Sequence, residues 1–93
     1  MTRYLIERVF GEIEQEEMQG VGPRMKRVNA EQFPDITWEH SHVVSDESGI
    51  KTYCVYEAPN KERLYEAGNA LGGHTITRIY EVAGDVTPAD FPG

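Results

Sequence analysis

One cysteine, one tryptophan and no extended apolar run limit what this 93-residue chain can be. Cys54 alone cannot close an internal disulfide, which fits a reducing compartment and predicts a cytoplasmic location. No stretch approaches the roughly 20 apolar residues that a membrane-crossing helix needs. The stretch from Met1 to Phe10 is interrupted by Arg3, Glu7 and Arg8, so it has no uninterrupted core of a secretory signal. Cations are scarce as well: 9 Lys and Arg stand against 16 Asp and Glu, a formal net charge of −7. Such a field repels polyphosphates and anionic headgroups, which predicts no nucleic-acid and no membrane partner. Arg24, Lys26 and Arg27 form the nearest approach to a basic cluster, short enough to be a solvated helix face. CxxC, HExxH, GxGxxG and phosphate-loop patterns are all missing. Gly20-Val21-Gly22 is too short for a phosphate cradle, and Gly72-Gly73 reads as a helix stop.

What is present alternates between two periods. Residues 3–10 (RYLIERVF) mix β-formers and charges in near alternation and predict a first strand, ended by Gly11. Residues 12–32 place Met18, Val21, Met25 and Val28 on one helical stripe, which predicts a first helix. Pro23 falls inside it and removes one backbone donor, yet the stripe runs through without a phase break, so a single interrupted helix is expected. Phe33-Pro34-Asp35 breaks the helix. A second strand over 36–44, a turn at Ser45–Gly49 and a third strand over 50–57 make a hairpin. Asn60 caps a second helix carrying Leu64, Ala67 and Leu71, and residues 75–82 form a fourth strand.

The order β-α-β-β-α-β, folded under the right-handed crossover rule, gives a ferredoxin-like α+β sandwich. Its antiparallel sheet has four strands in the order 4-1-3-2, with both helices on one face. The whole chain, 1–93, reads as one domain, with a core over about 3–83 and a tail over 84–93 that adds a fifth edge segment or wraps over a partner. The other sheet face is bare. Packing it against a second copy predicts a homodimer, a dimeric α+β barrel with an enclosed space.

The chemistry-bearing residues fall into three groups. With Ser45–Gly49 as the hairpin loop, Val44 pairs with Ile50, His42 faces Thr52, His40 faces Cys54, and Trp38 faces Tyr56. His40, His42 and Cys54 then project from one face, and two imidazoles with a thiol suit nickel, zinc or copper. A loop longer or shorter by one residue separates the thiol from the imidazoles. Glu7 and Glu81 lie near the middles of neighbouring strands. They meet as an acid/base pair or hard-cation site, or Glu7 simply pairs with Arg8 or Arg78. His74 reads as a solvated loop residue able to assist a weak surface metal. Burial of Cys54 is expected on either face.

The segments Trp38, His40-Ser41-His42-Val43 and Tyr53-Cys54-Val55-Tyr56-Glu57-Ala58-Pro59, with Tyr4-Leu5-Ile6-Glu7-Arg8 before them and Glu81-Val82 after, resemble a small ferredoxin-like family that includes a bacterial nickel-binding protein. The resemblance spans about residues 3–88. It implies a dimer with nickel held at its surface and no settled enzymatic activity. Glu7, Ser41, Tyr53, Cys54, Glu57 and Glu81 match by position, whereas Ala67-Gly68 stands where the family usually has a histidine in the second helix. The leading expectation is therefore nickel binding. The alternatives are a barrel enzyme or carrier for a small apolar metabolite, using Glu7, His40 or Cys54, and a non-catalytic interaction module.

Overall fold

A computed structural model describes residues 1–93. Its elements run β1 (Thr2–Gly11), α1 (Gln15–Gln32), β2 (Thr37–Asp46), β3 (Gly49–Ala58), α2 (Lys61–Leu71) and β4 (Thr75–Glu81), followed by a 3-10 turn at Pro88–Asp90. The sheet order is β2-β3-β1-β4, all antiparallel, which is the expected ferredoxin-like arrangement. The tail adds no fifth strand; Asp85 instead accepts from Arg3 Nη1 at 2.6 Å. No helix is long and apolar enough to cross a membrane.

Strand alternation divides β1 cleanly. Tyr4, Ile6 and Arg8 are buried beneath the helices, while Leu5, Glu7 and Val9 face the open side. On β3 the helix-facing set is Thr52, Cys54, Tyr56 and Ala58. The helices contribute Val21, Met25, Leu64, Ala67 and Leu71 to the same core, and Ile79 closes it from β4. Tyr56, wholly buried, accepts a hydrogen bond from Asn29 Nδ2 at 3.0 Å, which satisfies its hydroxyl and ties α1 to the central sheet. At the start of α2, Asn60 Oδ1 accepts from the Arg63 backbone at 3.0 Å, the cap expected from sequence. Arg63 also forks onto Asp35 at 2.8 and 2.7 Å and lies over the Phe33 ring, pinning α2 to the chain before β2.

α1 is continuous through Pro23 and starts three residues later than the stripe suggests. Met18 and Val28 are partly buried against the core on either side of Val21 and Met25. The GVGP segment inside this helix is entropically costly, and a Cβ on exposed Gly20 would meet nothing within 4 Å. Gly20→Ala is therefore expected to stabilise the domain by about 0.5–1 kcal/mol, read as a thermal midpoint higher by a few degrees. An unchanged or lowered midpoint would refute that account.

The hairpin differs from expectation in one decisive way. Asp46 pairs with Gly49, leaving a two-residue turn of Glu47 and Ser48 rather than a five-residue loop. Two local features account for the tighter turn. Asp46 Oδ1 accepts from the Ser48 backbone N–H at 2.8 Å and its hydroxyl at 2.6 Å, and Gly49 takes φ +115°, a conformation that disfavours side chains. Pairing consequently shifts by one residue: His42 lies opposite Tyr53, Ser41 opposite Cys54, and His40 opposite Val55. An extra residue, Glu39, then restores the expected Trp38–Tyr56 pair.

Candidate metal site

The shifted register overturns the His40, His42 and Cys54 trio. Cys54, 1% exposed, points under the helices, where its thiol donates to Thr52 Oγ1 at 3.5 Å. His40 and His42 project from the open face. The expected burial of Cys54 holds, while its place beside the imidazoles does not, because a one-residue slip reverses every side chain of a strand.

His40 and His42 remain together. Their rings stand edge to face with centroids 5.4 Å apart, both exposed and free of intrachain hydrogen bonds. Two residues apart on an edge strand, they present ring nitrogens to solvent from the same side of the sheet. His42 also begins a row that crosses all four strands: His42 opposite Tyr53, Tyr53 opposite Glu7, Glu7 opposite Arg78. The Tyr53 hydroxyl donates to Glu7 Oε2 at 2.7 Å, and Thr77 donates to Oε1. These two bonds, Thr77 first, hold the Glu7 carboxyl below the usual carboxylate range, and the bond to Glu7 raises Tyr53 in return. Glu7 is thus a fixed negative charge on the open face, and Tyr53 is a neutral donor between it and His42. The adjoining row, His40, Val55, Leu5 and Tyr80, is largely apolar.

Three other expectations are corrected. Glu81 pairs with Tyr4, a residue of the helix side, so it cannot meet Glu7 on the open side. No ion pair joins Glu7 to an arginine: Arg8 is buried on the opposite face, and the hydroxyls of Tyr53 and Thr77 occupy the Glu7 oxygens. His74 is not a solvated loop residue. It is half-buried, its ring lies 5.1 Å from that of Phe10, its Nδ1–H donates to the Gly72 carbonyl at 3.0 Å, and its Nε2 accepts from Arg8 Nη1 at 2.8 Å. Both nitrogens are engaged, so His74 has no lone pair to offer a metal. At Gly68 an added Cβ would sit 2.5 Å from Ile76 Cδ1 and 3.5 Å from His74 Nε2, so a larger side chain there would have to displace the end of Ile76.

Burial, more than the neighbouring Arg8 and Arg24 cations, pushes His74 below the ordinary imidazole range, while the Gly72 carbonyl opposes the shift. Its folded form therefore resists a proton that the unfolded chain accepts near 6.5. The linkage sign follows: the stabilisation from neutral His74 is present above that value and is lost as pH falls. Between pH 7 and 5 the urea midpoint of the native protein is expected to drop more than that of His74→Gln. Parallel slopes for the two proteins would contradict it. The depressed carboxylates Glu7, Asp35 and Asp46 lose their contribution only at lower pH, as pH falls below roughly 4.

Sequence reasoning also missed Arg8, 2% exposed and without a carboxylate partner. The signal was available, since Arg8 shares strand parity with Tyr4, Ile6 and Phe10, and a charge in that apolar series is anomalous.

A family model described as nickel responsive protein SCO4226-like matches residues 4–82. The chain belongs to this SCO4226-like family. Among solved structures, the crystal structure of SCO4226 from Streptomyces coelicolor A3(2) superposes with a TM-score of 0.64 at 18% identity, covering 90% of this chain and 99% of that one. An unknown protein from Galdieria sulphuraria gives a TM-score of 0.58 at 14% identity, covering 94% of this chain and 48% of that one. Likeness at these identities shows the shared ferredoxin-like fold. No protein of curated function matches.

Proposed function

We propose that this SCO4226-like protein binds nickel as a homodimer, through the His40 and His42 pair on the open sheet face. The observation that carries the reading is the pair itself: two exposed imidazoles, edge to face, with uncommitted nitrogens. Imidazole nitrogen suits nickel, and the net charge of −7 concentrates cations around the molecule. The family description, nickel responsive, points the same way.

No three His, Cys, Asp or Glu side chains of one chain converge as a metal cage. A pair of imidazoles leaves coordination positions for water or for donors of a second chain. The open face supports association, because Leu5, Val9, Val55 and Tyr80 lie on it with no helix above them. Copies joined by this face bring their histidine-bearing β2 edges to the rim of a shared barrel.

Native mass spectrometry of the tag-free protein tests both parts together. Twice the 10.5 kDa chain mass is expected, with nickel retained per dimer after titration and buffer exchange. A monomer at micromolar concentration would overturn the association, and a metal-free spectrum at saturating nickel would overturn the binding.

A further inference from the structure

On the opposite side of the sheet, between the first half of α1 and the hairpin, lies a cavity of about 430 Å³. Its size falls within the range of small-ligand sites, roughly 300–1,000 Å³. Phe10, Val21, Met25, Trp38 and Cys54 give it apolar walls, and Arg8 supplies its one charge. The exposed side chains of Gln15, Gln19 and Val43 stand at its rim, so it opens between α1 and the edge strand β2.

Arg8 is the anomaly that gives the cavity a chemistry. A guanidinium stays protonated at any ordinary pH, and burying it unpaired is strongly unfavourable. Arg8 is 2% exposed, yet its Nη1 bonds only to neutral His74, its carbon lies 5.7 Å from the Tyr56 ring centroid, and its buried Nε has no partner. A second buried guanidinium nitrogen, Arg24 Nε, is orphaned as well. A chain with 16 acidic residues places none of them against Arg8.

We infer that this cavity binds a small apolar carboxylic acid, its carboxylate paired with Arg8 and its tail against Met25, Val21 and Trp38. An apolar tail with one negative head matches what the walls and the guanidinium each lack. This site lies across the sheet from the histidine pair, so it is tested without nickel and stands or falls separately from the metal reading.

Trp38 is the only tryptophan and lines the cavity, so its fluorescence reports occupancy directly. Octanoate titrated into the tag-free protein is expected to change Trp38 emission saturably, with at least tenfold tighter binding than 1-octanol. Arg8→Met should erase that preference. Should Arg8→Met not fold, Gly22→Leu provides an independent arm: Gly22 borders the cavity, a Cβ there meets nothing within 4 Å, and the new side chain should block octanoate without lowering the thermal midpoint. Equal affinity for octanoate and octanol, no saturable response to octanoate, or undiminished octanoate binding to folded Gly22→Leu would each overturn the proposal.

Discussion

Alanine at both His40 and His42 is expected to abolish saturable nickel uptake while leaving the fold and the subunit number intact. Both side chains are exposed on an edge strand, so their removal opens no cavity and breaks no intrachain hydrogen bond. The loss should exceed the roughly 10–100-fold that deleting a mere outer-shell partner costs a metal site. Protons compete with the metal for an imidazole nitrogen, so uptake by the native protein should also weaken as the solution is acidified. His74→Ala serves as the internal comparison: with both ring nitrogens committed to Gly72 and Arg8, it should leave nickel affinity unchanged. Calorimetry on the tag-free double variant decides the matter. Undiminished stoichiometry and affinity there would move the site away from β2.

Gly49→Ala is expected to be the most damaging single methyl addition in the protein, at about 3 kcal/mol or more. Two separate effects combine. At φ +115° an alanine is strained wherever it sits, and here its Cβ would fall 2.1 Å from the Gly11 carbonyl oxygen and 2.9 Å from the Glu12 backbone nitrogen. Those neighbours are backbone and cannot swing aside as a side chain would. The urea midpoint should fall far more than for alanine at Gly84, an exposed position where a Cβ meets nothing within 4 Å. Equal midpoints for the two variants would show that the hairpin end relaxes freely.

The same turn explains how far the sequence was legible. Element order, helix stripe, caps and strand order all follow from periodicity and handedness, which are averages over many residues and survive a misplaced boundary. Face assignment on β2 and β3 depends on one integer, the loop length, and the cluster Ser45–Gly49 is compatible with several values. Asp46 closing onto Ser48 selects the shortest, and Cys54 thereby parts from His40 and His42. Glu7 and Glu81 were separated by the same kind of parity, set by the pairing of β1 with β4. His74 was misplaced because its burial comes from a long-range bond to Arg8, 66 residues away in sequence, which no local pattern encodes.

Two of the three register irregularities lie on outer strands, which bears on how the molecule stays discrete. Glu39 is the extra residue of β2 and Thr77 that of β4, so each outer strand carries one bulge while the β1 to β3 seam is regular until its end at Val9 and Gly11. An outer strand is otherwise a template, offering open amide and carbonyl groups to any passing chain. A bulge within either strand breaks the repeat that an incoming strand would have to match. On β2 the inserted residue also carries a charge, tied to Arg3 at 2.8 Å. Lateral growth into fibrils is thereby discouraged at both margins of the sheet, which leaves the open face as the surface for the self-association proposed above.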